Sequence, residues 1–131
     1  MSDVATVEFV EQPSAYGFDE TLQRLIKAIE AAGMTVLARI DHAAGARQIG
    51  LTMPATVVVL YGHPRGGTPI MQAAPHAALD LPLRALVREV EVGKVMVAYH
   101  PIAELLRRDG APDDMAKRLE PAQKLLFEAI R

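Results

Sequence analysis

The chain has 131 residues, a size that fits one domain. It carries 14 Lys and Arg against 16 Asp and Glu, a formal net charge of -2, and no cysteine. Disulfides, thiolate chemistry and Cys-based zinc sites are excluded, and nucleic-acid binding, which normally needs a basic stripe, is disfavoured. The opening residues MSDVATVEFVE lack an apolar signal core, and no run approaches the roughly 18 apolar residues of a membrane helix, so a cytoplasmic location is expected.

Residues 4–10 (VATVEFV) are β-rich and partly alternating, and predict a first strand. Residues 11–17, with Pro13, Ser14 and Gly17, read as a turn-rich link. Phe18, Leu22, Leu25, Ile26 and Ile29 then fall on one helical stripe. Gly17 serves as its N-cap, and Asp19 and Glu20 sit in the first turn, where the helix dipole favours acids. Gly33 ends the helix at a position where a positive φ suits glycine.

Residues 35–41 predict a second strand, with Val36, Ala38 and Ile40 on one face. A Gly/Ala loop follows, up to Pro54. Residues 55–62 (ATVVVLYG) are continuously apolar, which predicts an interior strand covered on both faces. Residues 62–67 read as loop. Thr68-Pro69 reads as the start of a short helix, with Thr as cap and Pro in the first turn. Residues 83–91 and 94–100 flank Val92-Gly93 and predict a hairpin. From Pro101 the chain turns helical, with Ile102, Leu105 and Leu106 on one face. Residues 109–112 (DGAP) break that helix. Asp113 is then expected to cap a last one carrying Met115, Leu119, Ala122, Leu126 and Ala129 or Ile130, which Pro121 kinks or splits.

The order β-α-β-β-(short α)-β-β-α predicts an α+β domain. One mostly antiparallel five-stranded sheet has helices on one face and a short helix between strands three and four.

Several residues in their order resemble a known family. They are Phe18…Thr21-Leu22, Gly33-Met34-Thr35-Val36 and Ile40-Asp41-His42, then Gly50-Leu51…Met53-Pro54 leading into residues 57–62 (VVVLYG). Pro64…Gly67-Thr68-Pro69-Ile70-Met71 and residues 78–83 (ALDLPL) complete the set. Together, over roughly residues 4–100, they resemble the bacterial and archaeal domain of unknown function 302. The resemblance implies a strand, a helix, four further strands and a C-terminal helix, similar to a TATA-binding-protein repeat. It also makes a homodimer unsurprising, and it implies no activity. That family commonly has Asn before the loop proline, where this chain has His63.

Candidate chemistry follows from the meander. Antiparallel strands of about seven residues put Asp41-His42 roughly 23 Å from the rim that carries His63, the Gly-Gly-Thr run, Asp80, Arg84 and His100. Parallel pairing of the second and third strands would bring Asp41 and His63 together instead. The strongest candidate is Arg65-Gly66-Gly67-Thr68-Pro69, where converging backbone N–H groups, a helix start and one guanidinium suit a phosphate or carboxylate. It is not a Walker loop. The candidate ligand-binding set is therefore His63, Arg65, Gly66, Gly67, Thr68, Asp80 and His100. His42, His63, His76 and His100 show no HxH or HExxH spacing, so no metal is expected, and no cofactor either. Asp41 reads as a loop cap, Asp80 as a turn residue, and the methionines as core filler.

These features favour a non-enzymatic module that binds a small ligand or regulates. The ligand is an anion at residues 65–68 or an apolar molecule between the sheet and the last helix. One alternative is a hydrolase- or lyase-like enzyme with His63 or His100 as base and Asp80 as orienter. Another is a dimeric structural or interaction module.

Overall fold

A computed structural model describes residues 8–131. Its strands are β1 (Val10–Pro13), β2 (Thr35–Asp41), β3 (Thr56–Gly62), β4 (Leu83–Glu91) and β5 (Lys94–Tyr99). Its helices are α1 (Phe18–Ala31), α2 (His42–Gln48), α3 (Pro64–Ala73), α4 (Ile102–Arg108), α5 (Asp113–Ala116) and α6 (Glu120–Ala129), with a 3-10 turn at Pro75–Leu79. The sheet runs β1-β5-β4-β3-β2, and every neighbouring pair is antiparallel. This is the expected α+β architecture, with α1 carrying the chain from one edge strand to the other.

Alternation decides which sheet face is covered. Val57, Val59, Tyr61, Leu83, Ala85, Val87, Val95 and Val97 all point to one side and are buried. Against them pack Leu22, Leu25 and Ile29 of α1, Ile102 and Leu106 of α4, and Leu126 with Ile130 at the end of α6, forming one core. Tyr61, fully buried, donates its hydroxyl to the Ala122 carbonyl at 2.8 Å, which ties β3 to α6. Burial pushes its phenol well above the ordinary range, and nearby Tyr99 adds to the effect. On the opposite face Val58, Leu60, Leu86 and Met96 are only partly covered. β3 is thus interior in the sheet order but covered on one face. Its continuous apolar run reflects lateral position, not a second layer.

The first strand differs from expectation in position. Residues 4–7 lie outside the described residues, Glu8 and Phe9 are not in a strand, and the ladder to β5 uses Val10 to Pro13. Pro13 is tolerated there because β1 is an edge strand and needs no inward N–H at that residue. The link is therefore shorter than expected. In it the Ser14 and Thr21 hydroxyls share a hydrogen bond of 2.6 Å, and Thr21 donates to the Tyr16 carbonyl. Gly33 has φ +83, as the predicted helix end requires. Between Val36 and Ala38 the β2–β3 register shifts, leaving Leu37 as the extra residue of a bulge.

Two helical expectations and one expected cap need correction. The stretch taken for a Gly/Ala loop contains α2, whose first turn is capped by Asp41: its carboxylate accepts from the Ala44 N–H at 2.8 Å. α3 begins at Pro64, so Gly66, Gly67 and Thr68 lie inside a helix and Pro69 is an internal proline. The last segment is divided into α5 and α6, with Pro121 in the first turn of α6 and Asp113 in the first turn of α5 behind Pro112. Splitting, one of the two expected outcomes, is what Pro121 accompanies.

Candidate functional site

The antiparallel register fixes the map of polar residues. Thr35 pairs with Gly62 and Asp41 with Val57, so Asp41-His42 and Gly62-His63 lie at opposite ends of β2–β3. The rim beyond Gly62 also receives the start of β4 and the end of β5. Six of the seven sequence-nominated candidates line two hollows there.

The larger is a groove of about 640 Å³. Its walls are the α1–β2 turn, the first turns of α3, the segment before β4, and Leu119 ahead of α6. Met34, Leu37, Met71, Leu81, Pro82 and Leu119 make the lining mostly apolar; His63 and Arg65 supply its ionisable groups. Of the nominated residues it takes His63, Arg65, Gly66 and Gly67. Thr68 lines neither hollow and faces solvent.

The expected nest of converging N–H donors does not form here. His63 ends β3 in an extended conformation and caps α3, its Nδ1 accepting from the Arg65 N–H at 3.1 Å. Pro64 has no N–H, and the N–H groups of Gly66 and Gly67 both go to the His63 carbonyl at 3.0 and 3.2 Å. The donors at this helix start are consumed within the chain. The glycines matter instead for space. A Cβ on Gly66 would lie 3.1 Å from Leu119 Cδ2, and one on Gly67 would lie 3.6 Å from Leu81 Cδ1 and 3.7 Å from Met71 Cε. Bare backbone at these two positions lets α3 form one wall without filling the groove.

Between the sheet and the last helix the space is packed by side chains of the core. Leu126, Ile130 and Tyr61 fill that space without exposure. The apolar hollow lies at the rim, and only Leu119 represents the C-terminal segment in it.

The smaller hollow, about 310 Å³, collects Asp80, Arg84, His100 and Arg108 beside Leu79, Leu83 and Leu105. Behind it Gln123 is buried with both ends of its amide bonded. Its Oε1 accepts from the Ile102 N–H and its Nε2 donates to the His100 carbonyl, each at 2.9 Å. This pins the junction of β5 and α4. Next to it, burial and then the adjoining Asp80 carboxyl push Asp109 from the ordinary 3.8 up to about 6, against the opposing pull of Arg108 and His76. The His63–Asp80 combination expected of an enzyme is therefore separated into two hollows, whereas His100 and Asp80 share one. Among the described residues no cluster of three or more His, Asp or Glu is arranged to hold a metal ion.

Sequence reasoning missed Arg108, Asp109 and Gln123 as neighbours of Asp80 and His100. They come from α4, its C-terminal cap and α6, and only the packing of those helices on the sheet brings them to the rim.

Known proteins give the arrangement a context. A family model described as "Domain of unknown function DUF302" matches residues 10–129. The crystal structure of an uncharacterised conserved DUF302 protein from Bacillus stearothermophilus superposes with a TM-score of 0.84. It covers 94% of this chain and 98% of that one at 17% identity, a likeness of fold. Two curated relatives carry the name Fluoride-specific ion channel FluC 1, one from Brucella suis biovar 1 and one from Brucella abortus biovar 1. Each is 36% identical over 118 residues, 88% of this chain. The match takes up only 46% and 44% of those relatives, so the chain spans less than half their length.

Proposed function

The chain belongs to the DUF302 family, and on that premise we propose that it is a non-enzymatic module that binds a small, mainly apolar molecule in the rim groove. The observation that carries this reading is the groove itself. Its volume of about 640 Å³ falls within the range of roughly 300–1,000 Å³ usual for small-molecule sites. Among the described residues its mostly apolar lining carries His63 and Arg65 as ionisable groups, enough to orient one polar or anionic end of a ligand. The anion expected at residues 65–68 thus becomes the polar end of a larger molecule, held by the Arg65 side chain and not by backbone N–H groups.

A regulatory role gains support from the curated relatives, in which a matching segment accounts for less than half of a longer protein named as a channel. Among the described residues no helix is long and apolar enough to cross a membrane. In such a protein this module would report ligand occupancy to the remainder rather than form the pore. Fluoride itself, small and strongly hydrated, is a poor match to an apolar groove, because an unpaired ion loses its hydration there.

Titration with 1-anilinonaphthalene-8-sulfonate, an aromatic body with one anionic group, tests the reading. We expect saturable fluorescence enhancement that weakens roughly tenfold in Gly67→Leu, which fills the groove, and several-fold in Arg65→Gln. Enhancement that never saturates, or that both folded variants preserve, would overturn it. Circular dichroism of each variant supplies the folding control.

A further inference from the structure

The smaller hollow has a chemistry of its own. Arg84 and Arg108 reach it from a strand and from the end of a helix, and neither takes part in any ion pair among the described residues. Arg84 stands at the start of β4 and His100 directly follows the end of β5, so both reach the same rim. Two guanidinium groups with an imidazole beside them suit a carboxylate, which each arginine can grip through paired N–H donors.

The same hollow also carries negative charge. Asp80 lines it, and Asp109 lies against Asp80 with its Oδ2 buried and without a hydrogen-bond partner. Two carboxyl groups in contact, one with an unsatisfied buried oxygen, gain from a nearby positive donor. Leu79, largely exposed at 74%, and Leu105 also line the hollow. A simple anion would meet the aspartates and a simple cation would meet the arginines, so neither fits the whole lining.

We infer that this hollow binds a small zwitterion, a free α-amino acid with an apolar side chain. Its carboxylate lies on Arg84 and Arg108, its ammonium on Asp80, and its side chain against Leu79 and Leu105. The volume of about 310 Å³ suits a ligand of that size, at the lower end of small-molecule sites.

Calorimetric titration of the whole chain with L-leucine tests this, alongside 4-methylpentanoate, which lacks the ammonium, and 3-methylbutylamine, which lacks the carboxylate. Leucine should bind saturably, and each analogue should bind at least about tenfold more weakly. The exposed pair Arg84→Gln/Arg108→Gln should abolish leucine binding, Asp80→Asn should weaken it about tenfold, and Gly67→Leu in the groove should leave it unchanged. Failure of leucine to bind, an analogue that matches it, or binding that survives loss of both arginines would each overturn the assignment. Should a variant fail to fold, the ranking of the three ligands on the native chain decides alone. Loss of leucine binding together with intact dye binding separates this assignment from that of the groove.

Discussion

His63 closes β3 and opens α3 with a single ring. Asparagine, expected at this position from the family resemblance, is among the best helix N-caps because its short side chain accepts from the second or third helical N–H. Here the histidine Nδ1 does the same for Arg65. His63→Ala should therefore destabilise the fold by about 1 kcal/mol and His63→Asn by much less, measured by urea denaturation. The histidine was legible in the sequence as a rim residue, but its role was not. A cap is recognised only when the helix start is placed correctly. Asp109 shows the converse, a residue the sequence marked only as part of a break. With its carboxyl held at about 6 against the ordinary 3.8, the folded state keeps this proton where the unfolded chain releases it. Its contribution to stability is fully present below about 3.8 and is lost as the pH rises through about 6. Asp109→Asn should then match the native chain in Tm near pH 4 and exceed it at neutral pH, a difference thermal unfolding across that window would reveal.

At the scale of elements, the errors of sequence reading have identifiable causes. The run from His63 to Pro69 offers two prolines that could each open a helix, and the Gly-Gly pair between them reads as loop. The structure uses the earlier one, because His63 can cap it and because the glycines give α3 close passage past Leu119. α2 escaped because it buries little: Ala43 is its buried residue, so no apolar stripe announces it, and Asp41 followed three residues later by Ala44 was its only signal. α1 was legible almost to the residue, since five apolar positions, two first-turn acids and a terminating glycine agree. Pro121 was correctly read as incompatible with one continuous helix. Because it stands in the first turn of α6, Pro121→Ala should cost no more than about 1 kcal/mol, mostly through a freer unfolded chain, and should not fuse α5 to α6. Urea denaturation with far-ultraviolet circular dichroism checks both parts.

For the molecule as a whole, the β4–β5 hairpin was readable from the short Val92-Gly93 link, whereas the β2–β3 and β3–β4 connections, which carry α2 and α3, left parallel pairing open until the ladders showed every pair antiparallel. With that register, Asp41 lies at one end of the sheet and His63 at the other. What the pattern could not yield was the division of one rim into an apolar groove and a charged hollow. Helices far along the chain build the partition, and pairing rules between neighbouring strands carry no information about them. The lateral margins of the sheet carry a further consequence. Among the described residues β2 leaves one row of backbone groups without a neighbour, and Leu37 and Ile40 beside it are exposed at 59% and 44%, a composition that invites another chain to add itself as a sixth strand. The irregularity at Leu37 breaks that row into two short, misaligned pieces, so an incoming strand finds no continuous template. Deleting Leu37 should restore the template and make the protein polymerise through its flank, seen as light scattering that grows with concentration and time. A deletion variant that stays as clear as the native chain would show that this kink has no protective role.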